Sequence, residues 1–451
     1  MSTLLASAPP GPRARFPGEL LARFASLDRL DFMAPLPARY GDVVSWRLGR
    51  QRVVLLAHPD DIRDVLVTHQ RSFTKGRALQ RARRLIGDGL LTSEGEVHLR
   101  QRRLVQPAFH RARVARYAET MVRATVAHQE GWRHGAAVDI NAEMMRLTMA
   151  IVAETLFGAD VGDEAERVTR ALHDVFASFD LGLSPLAPLL DRLPTSRQRR
   201  FQRARRVLDE IVYGMIHARR RAGRDTGDLL SMLLAAQDTE GDGRGMSDQQ
   251  LRDELLTLFI AGHETTANAL SWTWWLLDRH PEVRARLDEE LDTVLADRDP
   301  TADDVGQLPF TRAVIAESMR LRPPAYIVGR RAIAPYRVRD WELPAGTLVV
   351  VSQYITHRDP RWWPEPERFD PARWLAPDDR PRFAYFPFGG GTRVCVGEAF
   401  AWTEAVLLLA TLARRWRVEV AHPDPRPEPI ITLRPRGGMP ARLSSRGVCQ
   451  R

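Results

Sequence analysis

A mainly α-helical chain with small β-sheets is the fold class the sequence predicts, on three observations. Most segments from about Pro59 to Leu295 carry apolar residues at helical spacing. Short β-rich runs lie only before and after that stretch. The segment from about Gly397 to Trp416 is apolar nearly all round through Phe400, Val406, Leu407, Ala410 and Leu412, as a buried helix should be.

Taken in order, Pro9, Pro10 and Pro12 fix an extended start, and Val43 to Trp46 and Val53 to Leu56 predict strands around a turn at Gly49, hence a small sheet. The helical body that follows is expected to break at Gly158, at Ser184 to Leu193 and at the polar stretch Asp238 to Gly245. A helix over Thr311 to Leu321 should stop at Pro323 and Pro324. Beyond it, Ile327 to Ile333 and Thr347 to Tyr354 flank a turn at Pro344 to Gly346 and predict a second small sheet. There is no internal repeat, low-complexity tract or linker, so residues 1–451 are expected to form a single domain with 1–35 as an N-terminal extension.

Composition narrows the function classes. A 451-residue chain with 44% hydrophobic content has enough material for a large core. Its 66 basic residues exceed its 57 acidic ones, for a net charge of +9, and every basic residue except Lys75 is arginine. That balance favours acidic protein partners. Nucleic acid is not expected, because no dense basic run, zinc spacing or aromatic ribonucleoprotein motif organises the charge. Two cysteines, Cys395 and Cys449, exclude a multi-disulfide framework and a four-cysteine zinc site and suit a reducing cytoplasm. The first forty residues hold no apolar run near the roughly 20 residues that a membrane span needs, so neither signal peptide nor anchor is expected. A patch at Leu20 to Phe24 leaves peripheral attachment open.

The chemistry concentrates at Phe388-Gly389-Gly390-Gly391-Thr392-Arg393-Val394-Cys395-Val396-Gly397. Three glycines let backbone approach a flat ligand closely, and a helix beginning just after the cysteine turns amides and a positive dipole end toward a thiolate. Arg393 supplies a permanent cation two residues from the sulfur, and Phe388 can limit its access to water. A bland alternative, a small buried cysteine in a turn, suits Cys449 better than Cys395.

Four further patterns lie upstream of it. In the apolar stretch Leu255 to Asp278 sits Ala261-Gly262-His263-Glu264-Thr265-Thr266, polar where a core helix should not be. Glu317-Ser318-Met319-Arg320 places an acid and a base on one helix face, and Pro364 to Phe369 reads Pro-Glu-Pro-Glu-Arg-Phe. In Gly95 to Arg102, His98 and Arg102 stand one turn apart.

Together these segments resemble the cytochrome P-450 family: the cysteine loop matches its FxxGxRxCxG signature at every fixed position, Glu317 to Arg320 its ExxR motif, and Ala261 to Thr266 its [AG]GxE/DT[TS] motif. The resemblance covers nearly the whole chain and implies the cytochrome P-450 fold, haem b held by the Cys395 thiolate, and insertion of one atom of dioxygen into an organic substrate. A thiolate ligand pushes electron density onto iron and favours O–O cleavage. The resemblance also implies that Phe388, Arg393 and Gly397 frame the ligand, that Ala261 and Gly262 leave room for dioxygen, and that Glu264 and Thr265 relay protons. It implies further that Glu317, Arg320 and Arg368 form a buried network locking the cysteine loop, and that His98 and Arg102 bind one propionate. Arg330 binds the other, with Arg331 as the alternative after a one-residue slip. His263 is assigned an ordinary core role.

No flavin or nicotinamide segment follows Cys395, so electrons are expected from a separate ferredoxin or flavodoxin, ultimately from NAD(P)H, docking near Arg102, Arg103 and Arg393 on a monomer. The candidate substrate wall comprises Phe176, Phe179, Tyr326, Ile327, Val328 and Ile431, apolar enough for a terpenoid, fatty acid or polyketide. A haem-thiolate sensor without turnover is the alternative, disfavoured by the Glu264 and Thr265 pair. A cysteine hydrolase leaves the ExxR and Pro-Glu-Arg-Phe segments unexplained.

Overall fold

The structure is a computed structural model and describes residues 8–16, 18–25, 29–158, 171, 195–223 and 225–447. Phe176, Phe179, Cys449 and the expected break at 184–193 lie outside the described residues. The chain divides into two compact units: Met1–Gln80, Ala316–Cys395 and Arg426–Arg434 form one, and Arg81–Ile315, Val396–Pro425 and Pro435–Arg451 the other.

The first unit is built on a five-stranded sheet of β1 (Val43–Leu48), β2 (Gln51–Leu56), β3 (Phe73–Lys75), β4 (Val328–Ala332) and β5 (Leu348–Val351), in the order β1-β2-β5-β4-β3. The two sheets expected from the sequence are therefore one. The reason is legible in β2 and β5, whose runs Val53 to Leu56 and Val349 to Val351 are buried throughout. Continuous apolar strands want neighbours on both sides, and these two pair in parallel with Val53 opposite Leu348. The same unit holds a short hairpin of β6 (Pro427–Pro429) and β7 (Leu433–Pro435), whose last residue belongs to the second unit.

The second unit is helical. Its principal elements are α1 (Gly95–Val105), α2 (Arg111–Gln129), α3 (Ile140–Phe157), α4 (Ser196–Ala222), α5 (Asp248–Arg279), the first half of α6 (Pro309–Leu321), and α8 (Glu398–Ala413). The short α7 (Gln353–Thr356) belongs to the first unit. Capping sets the boundaries. Asp139 accepts from the amides of Asn141 and Ala142 at the start of α3, which ends at Gly158 in the left-handed conformation, as expected. Ser247 and Gln250 form a capping box that starts α5. Leu251, Leu255 and Phe259 of α5 share a core with Met149 and Val152 of α3 and Leu208 of α4. Leu20 is buried, so it does not contribute to a surface patch.

Candidate active site

The cysteine loop hangs from the first unit by hydrogen bonds that its sequence supplies. Gly389 donates its amide to the carbonyl of Phe386 at 3.0 Å, and the Cys395 amide donates to the carbonyl of Phe388, also at 3.0 Å. Gln70 accepts from both the amide and the hydroxyl of Thr392 at 2.8 Å. Two of the loop's glycines are required by the protein's own packing. A Cβ on Gly391, whose φ is +70°, would overlap the carbonyl of Leu66, and one on Gly390 would lie 2.6 Å from the Phe383 ring. Cys395 itself is exposed at the end of this tightly packed loop, and α8 starts three residues later with Gly397 as its cap.

Cations gather on the same unit. Arg393 donates to the carbonyl of Phe73 in β3 at 3.3 Å. Two residues along β3, Lys75 lies directly opposite Arg330 of β4, and both are buried. The strand pairing thus brings two buried cations to one place, where a carboxylate would find charge-assisted partners. Of the two candidate arginines, Arg330 turns into the unit while Arg331 is exposed, as strand alternation requires. Lys75, conspicuous in the sequence only as its one lysine, carries no site signature there, because a single lysine in a strand marks no motif.

Glu317 and Arg320 of α6 are both 0% exposed and pair through two bonds of 2.8 and 2.9 Å. Every remaining valence is used. Arg320 donates to the carbonyls of His357, Pro366 and Arg368, and Glu317 accepts from the amide of Asp370, from Trp374 Nε1 at 2.9 Å and from Arg373 Nε at 3.0 Å. This corrects the expected network. The Arg368 guanidinium is 60% exposed and pairs with Glu365, and only its carbonyl meets Arg320. The arginine that reaches Glu317 is Arg373, one short turn beyond the Pro-Glu-Arg-Phe segment. His357 extends the network toward the cysteine: its Nε2 accepts from the amide of Phe386 at 3.0 Å, and burial holds its pKa well below the usual histidine value, leaving that nitrogen free to accept.

In the second unit, α5 is buried at every residue from Leu251 to Leu277 except one turn, where Ala261 is exposed and Gly262 and Thr265 are partly so. Gly262 was expected to leave room for dioxygen, but a Cβ there would sit 3.0 Å from Val152, so it lets α3 approach α5. Ala261 remains as the small residue on the open face. Thr265 Oγ1 donates to the Ala261 carbonyl at 2.7 Å, and Glu264 is buried beside it. His263 is a core residue, its Nδ1 on the Phe259 carbonyl and its own carbonyl accepting from Thr148; burial lowers its pKa. On α1, His98 is buried and Arg102 half-buried one turn on. Their neighbours Arg100 and Arg103 clamp Asp238, and Arg103 makes two bonds of 2.8 Å, so the second expected docking arginine is already engaged.

The substrate candidates divide. Ile327 and Val328 are half-buried and Ile431 is exposed. Tyr326 is 1% exposed and forms no wall; its hydroxyl donates to the carbonyls of Pro429 and Ile430 instead.

The residues around Cys395 suit haem: a presented thiol, buried cations for carboxylates, and a loop whose Gly390 and Gly391 pack closely on Phe383 and Leu66. Comparison with known proteins agrees. The family description Cytochrome P-450 matches residues 9–440. Cyclooctatin synthase of Streptomyces melanosporofaciens is 41% identical over 91% of this chain and 88% of its own length. Pentalenene oxygenase of Streptomyces avermitilis is 39% identical over 90% of each chain. A crystal structure of a cytochrome P-450DA haem domain superposes with a TM-score of 0.89 at 26% identity, covering 98% of both chains.

Proposed function

The chain belongs to the cytochrome P-450 family, and from that premise we propose that it oxidises a terpenoid hydrocarbon or alkenol, with Cys395 as the iron ligand and Glu264 with Thr265 as its proton-handling pair. It is a haem monooxygenase that uses dioxygen, a lipophilic substrate and a redox partner. The observation that carries the site assignment is the exposed Cys395 on a loop shared with Arg393, in a unit that also buries Lys75 opposite Arg330.

When bound, haem iron supplies reduction of dioxygen and transfer of one oxygen atom to the substrate, the other leaving as water. Cys395 would hold the iron through its thiolate. Arg393, Arg330 and Lys75 would be cationic partners for one propionate, and His98 with Arg102 would serve the other. Phe388 shields the sulfur and Gly397 starts the helix that follows it. Thr265 holds a proton on Oγ1 on the open face of α5, and Glu264 replaces it once it is delivered, a division of work that suits an alcohol and an acid in adjacent positions. Glu317, Arg320 and Arg373 keep the cysteine loop from shifting under this load.

Electrons come in this proposal from NAD(P)H through an acidic ferredoxin or flavodoxin, which suits the net charge of +9. A cytoplasmic monomer suits the cysteine usage, and no helix among the described residues is long and apolar enough to cross a membrane. For the substrate class, the support is a relative named cyclooctat-9-en-7-ol 5-monooxygenase, 41% identical, together with the pentalenene oxygenase. The test is a titration of the ferric protein with pentalenene and with dodecanoic acid. A shift toward high spin with the hydrocarbon alone, followed by oxygenated product under turnover, is expected; a shift with the fatty acid alone rules the terpenoid class out.

A further inference from the structure

We propose that Tyr326 is a positioning residue for selectivity: its buried phenol holds the turn Ile430 to Thr432 so that Ile431 stands at one fixed place in the substrate wall. The proposal rests on the reading that Ile327, Val328 and Ile431 face the substrate.

Tyr326 is anchored at both ends. Its carbonyl accepts from the hydroxyl of Ser352 at 2.8 Å and from the amide of Tyr354 at 3.3 Å, which fixes its backbone to the end of β5 and the start of α7. Its hydroxyl donates to the carbonyls of Pro429 at 3.1 Å and Ile430 at 2.9 Å, while Arg29 donates to the same oxygen at 3.4 Å. A second tie, from the Leu433 amide to the Pro324 carbonyl at 2.9 Å, holds the other side of the same turn. Burial pushes the phenol pKa up, so the group remains a donor at alkaline pH.

The turn so held has an unusual composition. Thr432 and Leu433 are buried, yet Ile431 between Ile430 and Thr432 is 44% exposed. Leaving an isoleucine outside the core forfeits much of its hydrophobic stabilisation, and the surrounding bonds keep it there. The residues that immediately follow Tyr326, Ile327 and Val328, are themselves half-buried aliphatics. One side chain thus ties together the two segments that carry the apolar wall, without belonging to the wall.

The experiment uses the haem-loaded protein and two probes, imidazole, which reports access to the iron, and phenylimidazole, which adds an apolar body that must meet the wall. Amide exchange is measured in parallel. Tyr326→Phe keeps the ring and removes the hydroxyl. It should speed exchange at Ile430, Thr432 and Leu433 about five- to tenfold, and weaken phenylimidazole by about three- to tenfold while leaving imidazole unchanged. Ile431→Ala should also weaken phenylimidazole, and the double variant should be little worse than Ile431→Ala alone, because both act through one turn. Unchanged exchange in Tyr326→Phe, or additive losses in the double variant, overturns the positioning role. If Ile431→Ala leaves the ratio of the two affinities intact, the wall reading itself fails and takes the selectivity role with it, whatever the exchange data show.

Discussion

At the scale of single residues, position within a helix matters as much as identity. Thr265 and Thr266 are neighbours on α5, but the first lies on the open turn with its hydroxyl on Ala261, whereas the second is buried beside Glu404 of α8. Only the first is placed to handle protons at an open surface. Thr265→Ala is therefore expected to retain haem and substrate binding yet divert reducing equivalents to peroxide, lowering product per electron by about tenfold or more. Oxygen-electrode and peroxide assays check this, and unchanged coupling would remove Thr265 from the relay. Glu404 yields a stability prediction with a definite sign. It is 0% exposed, and burial raises its pKa from 4.5 to about 8 against the smaller opposing pull of the Thr266 hydroxyl. The folded protein then holds this proton more tightly than the unfolded chain. The stabilisation is fully present below about pH 4.5 and drains away as pH rises toward about 8. Glu404→Gln, neutral at every pH, should flatten the fall in melting temperature across that window; an identical slope in both proteins would mean that the carboxyl is already ionised in the fold.

At the scale of elements, the loop that carries Cys395 is fixed by segments distant in sequence. Leu66 and Gln70 pack and bond it from one side, and α6 reaches it through Arg320, His357 and Phe386. Glu317 is the centre of that route, because its two oxygens accept from Arg320, Arg373, Trp374 and the Asp370 amide. Removing Arg373 leaves a buried carboxylate short of a cation, so Arg373→Ala should cost about 3–5 kcal/mol and release haem readily. Arg368→Ala, at an exposed pair with Glu365, should change stability by less than about 0.5 kcal/mol. Urea unfolding of the two variants separates them, and the reverse order would restore Arg368 to the network. The sequence misleads at this point because Arg368 and Arg373 lie five residues apart in similar Pro-rich surroundings. Only the turn at Asp370 to Trp374 decides which of them faces α6.

Across the whole molecule, the legible features were those with rigid local spacing. The cysteine loop, the pair Glu317 and Arg320, and the polar turn of α5 each fit within ten residues, so their geometry follows from one loop or one helix. Features that depend on which distant strands meet were not legible. The union of β2 with β5, and the approach of Lys75 to Arg330, need strand pairing between residues roughly 250 to 300 positions apart. Gly262 and Gly391 stand out in the sequence as parts of motifs, but the neighbours that constrain them, Val152 and Leu66, come from other elements. The charge of +9 also acts at this scale, although Arg100 and Arg103 are partly neutralised by Asp238 and Asp242. Reduction by an acidic ferredoxin should slow steeply as salt is raised, since screening shortens the reach of the remaining arginines. A salt-independent rate in stopped-flow measurements would exclude electrostatic docking.

The most direct test of the central claim is the carbon-monoxide spectrum of the reduced protein, compared with that of Cys395→Ser. The parent should show the red-shifted Soret band of thiolate-ligated haem and the variant should lose it, whereas the same band in Cys395→Ser would contradict the assignment of Cys395 as the iron ligand.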